Sequence, residues 1–142
     1  MKIKKNFKIY RKICIIETFL VYLPQTKNLK LTMARRISKS YLCAVKCMYA
    51  LVKFLDEENR DCSRPEIFEH MQRHVSFTYW ESEHMGSTIR WQLITRNMAY
   101  HYQRAGLLTR REEVYRITRK GHEALELGAE AMQREVDATI PT

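Results

Sequence analysis

Four glycines and three prolines in 142 residues are too few for several kinds of chemistry. The chain has no glycine-rich loop to cradle a nucleotide phosphate and no Gly-x-Ser-x-Gly elbow to expose a nucleophile. Its four cysteines form no Cys-x-x-Cys pair, which removes finger-type zinc spacing and a dithiol redox motif. Cys43 and Cys47, four apart on one face of an expected helix, read as small buried hydrophobes of a reducing compartment. Internal repeats and low-complexity tracts are also missing. The apolar run from Ile13 to Leu23 is broken by Glu17 and falls far short of the ~20 residues a membrane span requires.

What is present suits a water-exposed domain with a real core. Apolar residues make up 45% and charged residues 29%, enough to bury a core without disulfide or metal staples. The net charge is +9, and its placement says more than its size. Residues 1–32 carry eight Lys/Arg against one acid, and residues 33–86 are balanced. Residues 87–120 carry eight Lys/Arg against two acids, whereas residues 121–142 carry one Arg against five acids. Cations must cluster to neutralise phosphates, so the basic tract at 87–120 points to nucleic acid more directly than the overall balance does.

Residues 1–37 read as a basic extension. Its basic start and apolar run resemble a secretory leader, but the run contains an acid and no small-x-small cleavage site follows. Three readings stay open: an extra amphipathic helix, a basic arm for nucleic acid or a membrane surface, and translation beginning at Met33. The expected domain covers 38–137, and 138–142 is a tail.

Within 38–137, Ser38 or Ser40 can cap a helix through Leu42, Val45, Met48, Tyr49, Val52, Phe54 and Leu55. Ser63-Arg64-Pro65-Glu66 is a capping box with proline in the first turn, opening a second helix through Ile67, Phe68, Met71 and Val75. After a polar linker, 81–87, Ser87 or Thr88 can cap a third helix whose seam is Trp91, Ile94, Met98, Tyr102 and Ala105. Gly106 ends it. Leu107–Thr109 and Val114–Ile117 predict two strands around the charged turn Arg110-Arg111-Glu112-Glu113, with Tyr115 and Ile117 facing inward. Thr118 can cap a last helix with Leu125, Ala129, Met132 and Val136 on one face. The fold class is therefore mainly α with a small β-hairpin (α+β), in the order α-α-α-β-β-α of a winged helix.

The segment RWQLITRNMAYHYQRAGLLTRREEVYRITRKGHEAL carries a resemblance as well. It is similar to the N-terminal winged-helix domain of Mrr-type restriction endonucleases. In that family an Arg/Trp-rich helix runs into a basic-Ala-Gly-Leu-Leu turn and a Val-aromatic-Arg-Ile-Thr strand. The matching positions here are Arg96, Ala99, Tyr102, Arg104, Ala105, Gly106, Leu107 and Leu108, then Val114, Tyr115, Arg116, Ile117, Thr118 and Gly121. The likeness covers about a quarter of the chain. It implies duplex-DNA recognition by the third helix and the hairpin. The family's nuclease domain has no counterpart, since no Asp…Glu-x-Lys metal constellation can be laid on the sequence.

The expected contacts on the third helix are Arg90, Gln92, Arg96, Tyr100 and Gln103, because arginine and glutamine can pair bidentately with guanine and adenine. Thr88 and Thr95 are expected on phosphate near the helix start. Arg110 and Arg111 at the hairpin tip, with Arg116 behind them, are expected on backbone or in the minor groove. Trp91 and Tyr102 belong to the core by their spacing, while Tyr100 lies on the polar face. His70 and His74 sit four apart, but no second ligand pair accompanies them. No catalytic residue, metal or cofactor is nominated.

The expectation is a cytoplasmic, non-enzymatic protein that binds duplex DNA as a transcriptional regulator or DNA-targeting adaptor. A homodimer through Leu125, Ala129 and Met132 of the C-terminal helix is one expected arrangement; closure of the monomer's own core by that helix is the other. Two rival readings remain: a protein-docking winged helix, and an accessory component of a restriction or phage-defence system.

Overall fold

A computed structural model describes residues 38–141. Every expectation for residues 1–37, including the Ile13–Leu23 run and the role of Met33, lies outside the described residues. The described residues from Lys39 onward form one compact unit of mixed α+β structure: five helices, a small three-stranded antiparallel sheet and a separate two-stranded ribbon. Among the described residues no helix is long and apolar enough to cross a membrane.

Helix α1, Lys39–Glu58, is the axis of the core. It packs on every helix that follows and on the sheet. Its buried residues, among them Cys43, Ala44, Cys47, Met48, Leu51, Val52 and Leu55, cover a stripe too broad for a single-partner helix. The predicted seam was rotated at its start, because Leu42 is 54% exposed and Cys43 and Cys47 take the inward positions. Their sulfurs lie 3.8 Å apart, fully buried. Asn59 stops the helix in the left-handed conformation (φ +50°), and its amide still reaches the Leu55 carbonyl at 2.8 Å.

Strand β1, Cys62–Ser63, leads straight into helix α2, Arg64–His74. The capping box forms as the sequence requires: Ser63 Oγ accepts from the Glu66 amide, and the Glu66 carboxylate accepts from the Ser63 amide. The linker after α2 holds a feature that sequence reading missed. His84–Met85 (β2) and Thr88–Ile89 (β3) pair as a ribbon that turns at Gly86, φ +70°.

Helix α3, Arg90–Arg104, therefore starts one or two residues later than expected, with Ile89 at its cap and no side-chain cap bond. Its first amides are satisfied by the linker instead: Arg90 N–H donates to the Glu83 carbonyl (2.8 Å) and Trp91 N–H to the Glu81 carbonyl (3.0 Å). The buried seam is Trp91, Thr95, Ala99 and Tyr102. Ile94 and Met98 are half-buried at the edge of the core. Gly106, φ +90°, ends the run as predicted.

Strands β4, Leu108–Arg111, and β5, Val114–Ile117, form a hairpin, and β1 adds to β5, giving the order β1-β5-β4. Tyr115 is buried and Val114 and Arg116 face solvent, as alternation demands. Thr118 caps helix α4, Arg119–Leu125, by accepting from the Gly121 amide. The predicted single last helix is broken at Gly128, φ +97°, and resumes as α5, Ala129–Asp137. Met132 and Val136 are fully buried, and Gln133 joins them by accepting a 2.6 Å hydrogen bond from the Tyr102 hydroxyl. Of the two roles expected for Met132, a dimer contact or closure of the chain's own core, its burial fits the second.

Candidate nucleic-acid interface

The outward face of α3 carries Gln92, Arg96, Tyr100, Gln103 and Arg104, which recur at helical spacing opposite the buried seam. Arg96 and Tyr100 are exposed. Among the described residues, Arg96 has no hydrogen-bond, ion-pair or ring partner. Tyr100 accepts a 3.0 Å hydrogen bond from Arg104, one turn on. Gln103 is half-buried near the C-terminal end and lines neither of the concavities on this side of the molecule.

Those concavities adjoin each other. One, of about 600 Å³, lies between α2 and α3 and is lined by Gln72, Arg73, Thr88, Gln92 and Arg96. The other, of about 430 Å³, lies between α3 and the hairpin, with Arg96, Asn97, Tyr100 and Arg110 on its wall. Arg64 and Arg96 border both. The geometry thus brings Thr88, Gln92, Arg96, Tyr100 and Arg110 together along one open channel.

Arg64, Gln72, Arg73 and Asn97 on its walls were not foreseen. Arg64 had only a local role in the helix start, and nothing in the adjacent sequence announces its partner. Its side chain pairs with Glu113 at 2.9 Å, and its amide donates to the Glu113 carbonyl at 2.8 Å. This double contact fastens the start of α2 to the hairpin turn.

The placement of several expected contacts is corrected. Thr95 is 1% exposed and its hydroxyl donates to the Trp91 carbonyl at 2.7 Å, so it cannot meet a phosphate. Arg90 is a clasp on the linker: it bonds Glu83 (2.5 Å) and the Trp80 carbonyl (2.8 Å) and stacks 4.3 Å over the Trp80 ring. Arg110 and Arg111 are not at the hairpin tip. The turn is only two residues, Glu112 and Glu113, with Glu112 at φ +60°, and both arginines belong to β4. Arg110 pairs across from the buried Tyr115 and Arg111 across from the exposed Val114, which sends the two side chains to opposite faces. Arg110 also donates to the Glu112 carbonyl at 2.7 Å. Arg116 lies on the outer face with Arg111 and pairs with Asp61 at 3.1 Å. The phosphate site expected at Thr88 is curtailed as well, because the Arg90 and Trp91 amides behind it are already occupied.

The start of α3 is held from behind by a buried carboxylate. Glu81 is 5% exposed and binds the Lys46 ammonium of α1 at 2.7 Å. Thr78 and Glu81 also exchange bonds reciprocally: the Thr78 amide donates to the Glu81 carboxylate (2.9 Å) and the Glu81 amide to the Thr78 hydroxyl (3.1 Å). Thr78-x-x-Glu81 has capping-box spacing, a signal that reading 81–87 as a polar linker overlooked.

Opposite charge collects elsewhere. Glu123, Glu126, Glu130 and Glu135 are exposed on α4, α5 and the three-residue link between them. His122 on α4 contacts Asp56 of α1 at 2.7 Å, and this partner raises its pKa above the ordinary histidine value. His70 and His74 lie with ring centroids 4.4 Å apart, His70 stacking on Phe54, and no group of three metal-ligating side chains occurs among the described residues. Comparison with protein-family models, curated proteins and solved structures finds no match to the chain.

Proposed function

We propose that this chain is a winged-helix module that docks on duplex DNA, α3 entering the major groove and the flank of the hairpin resting on the backbone. The succession helix, short strand, helix, helix, hairpin and the sheet order β1-β5-β4 support this reading. So does the likeness of 90–125 to the Mrr-type N-terminal domain. The observation that carries it is Arg96: exposed, without a partner among the described residues, and bordering both concavities beside Arg64. A guanidinium with its donors unspent is what bidentate recognition of guanine or phosphate requires. Fifteen residues give α3 a length of about 22 Å at ~1.5 Å per residue, enough to follow a major groove ~12 Å wide. The role is that of a regulator or an adaptor that brings another activity to DNA.

Mobility-shift titration with Arg96→Ala and Arg111→Ala tests the proposal. Arg96→Ala is expected to weaken binding by one to two orders of magnitude if the side chain reads a base, with a loss that depends on duplex sequence. Arg111→Ala is expected to weaken all duplexes alike. A second reading, a protein-docking winged helix, draws on the exposed Tyr79 and Met85 near the start of α3. It predicts no shift with any duplex at low salt, and partner binding that salt barely affects.

A further inference from the structure

The cations around the interface are not equally available. Arg64 is held by Glu113, Arg116 by Asp61, and Arg110 by the carbonyl of Glu112. Arg96 and Arg111 alone among these five have no partner within the described residues. Both residues of the hairpin turn are glutamates with exposed side chains, and one of them sits at φ +60°, a conformation glycine adopts without penalty. A surface that merely sought phosphate would present these arginines free and keep carboxylates off the turn.

Resting on the DNA-docking reading, we propose that Glu113 and Asp61 are competing counter-charges that hold down affinity for duplex DNA: they occupy Arg64 and Arg116, which a phosphate would otherwise engage. A duplex must displace a carboxylate before either arginine can neutralise its backbone. Sequence-independent binding consists almost wholly of such neutralisation, so it carries this cost in full. A duplex that also satisfies Arg96 and Gln92 with base edges gains contacts that the carboxylates do not oppose. The pairs therefore lower affinity for matched and unmatched duplexes alike, and base contacts by Arg96 and Gln92 are left to separate the two.

The test is fluorescence-anisotropy titration of a random-sequence duplex with the full chain, wild type and three variants: Glu113→Gln, Asp61→Asn, and Glu135→Gln as a control with the same charge change on α5. Exposed ion pairs of this kind correspond to about two- to fivefold each. Glu113→Gln and Asp61→Asn are each expected to bind about two- to fivefold more tightly, while Glu135→Gln matches wild type. The slope of log K against log salt should steepen by about 0.9 for each arginine released. Circular dichroism verifies that each variant is folded, and an affinity gain cannot arise from unfolding. If both variants match wild type, bind more weakly while folded, or shift no more than Glu135→Gln, the inference is wrong and DNA docking stands. If wild type and all variants leave every duplex unbound at low salt, the docking reading fails and this inference with it.

Discussion

Replacing Glu81 by alanine should loosen the start of α3 more than any exposed substitution on that helix. The carboxylate bonds Lys46 at 2.7 Å and the Thr78 amide at 2.9 Å, and its side chain is 6% exposed. A hydrogen bond to a charged group contributes about 1.5–3 kcal/mol, and breaking a fully buried pair costs about 3–5 kcal/mol. Two features reduce the cost here. Lys46 is one-third exposed and keeps its 2.8 Å bond to the Ser76 carbonyl, and Thr78 is open to water. The expected loss is therefore about 2–3 kcal/mol, with about 1 kcal/mol for Glu81→Gln, which keeps an acceptor but not the charge. Urea unfolding followed by tryptophan fluorescence measures it. The loss should be local first: the Trp91 amide, bonded to the Glu81 carbonyl, should exchange faster than amides in the middle of α1. A change below about 0.5 kcal/mol, in the range of ordinary surface substitutions, with Trp91 exchange unaltered, would refute the claim that this carboxylate positions α3.

Three further outcomes follow from the packing. In Gly121→Ala the new methyl would lie 2.0 Å from the Leu107 carbonyl oxygen, so α4 must shift against backbone; a loss of about 1–3 kcal/mol is expected in chemical denaturation. Tyr102→Phe leaves the buried Gln133 without its 2.6 Å donor and should cost about 1–3 kcal/mol by the same assay. His122 has a folded-state pKa raised by Asp56, so the stability from this contact is fully present below the unfolded histidine value and disappears as pH rises through the folded one. Asp56→Asn should flatten that part of the stability profile, which unfolding titrations across pH 6–8 can follow.

The parts of the fold that were legible in the sequence are those fixed by neighbours in the chain. Ser63 and Glu66 need only each other to open α2, Gly106 needs only its own backbone freedom to end α3, and Tyr115 and Ile117 follow from alternation. The observed seam of α3 was also within reach, since Trp91, Thr95, Ala99 and Tyr102 are spaced as helically as the predicted set. A threonine reads as polar until its hydroxyl is seen bonded to a carbonyl one turn back. Two-residue strands such as Cys62–Ser63 and Thr88–Ile89 carry too few positions for alternation to register. The Glu112–Glu113 turn has no glycine or asparagine to mark it, so Arg110 and Arg111 were drawn into the loop. Which arginines are free was illegible for a different reason: the partners of Arg64, Arg90 and Arg116 are brought in by tertiary structure or by the ribbon.

The proposed docking on DNA is tested most directly by recording amide and side-chain NMR shifts of the chain while a random-sequence duplex is added at low salt. The account predicts that the largest changes fall on Gln92, Arg96, Tyr100 and Arg110, with α4 and α5 silent. Shifts confined to α4 and α5, or none at all at saturating duplex, would contradict it.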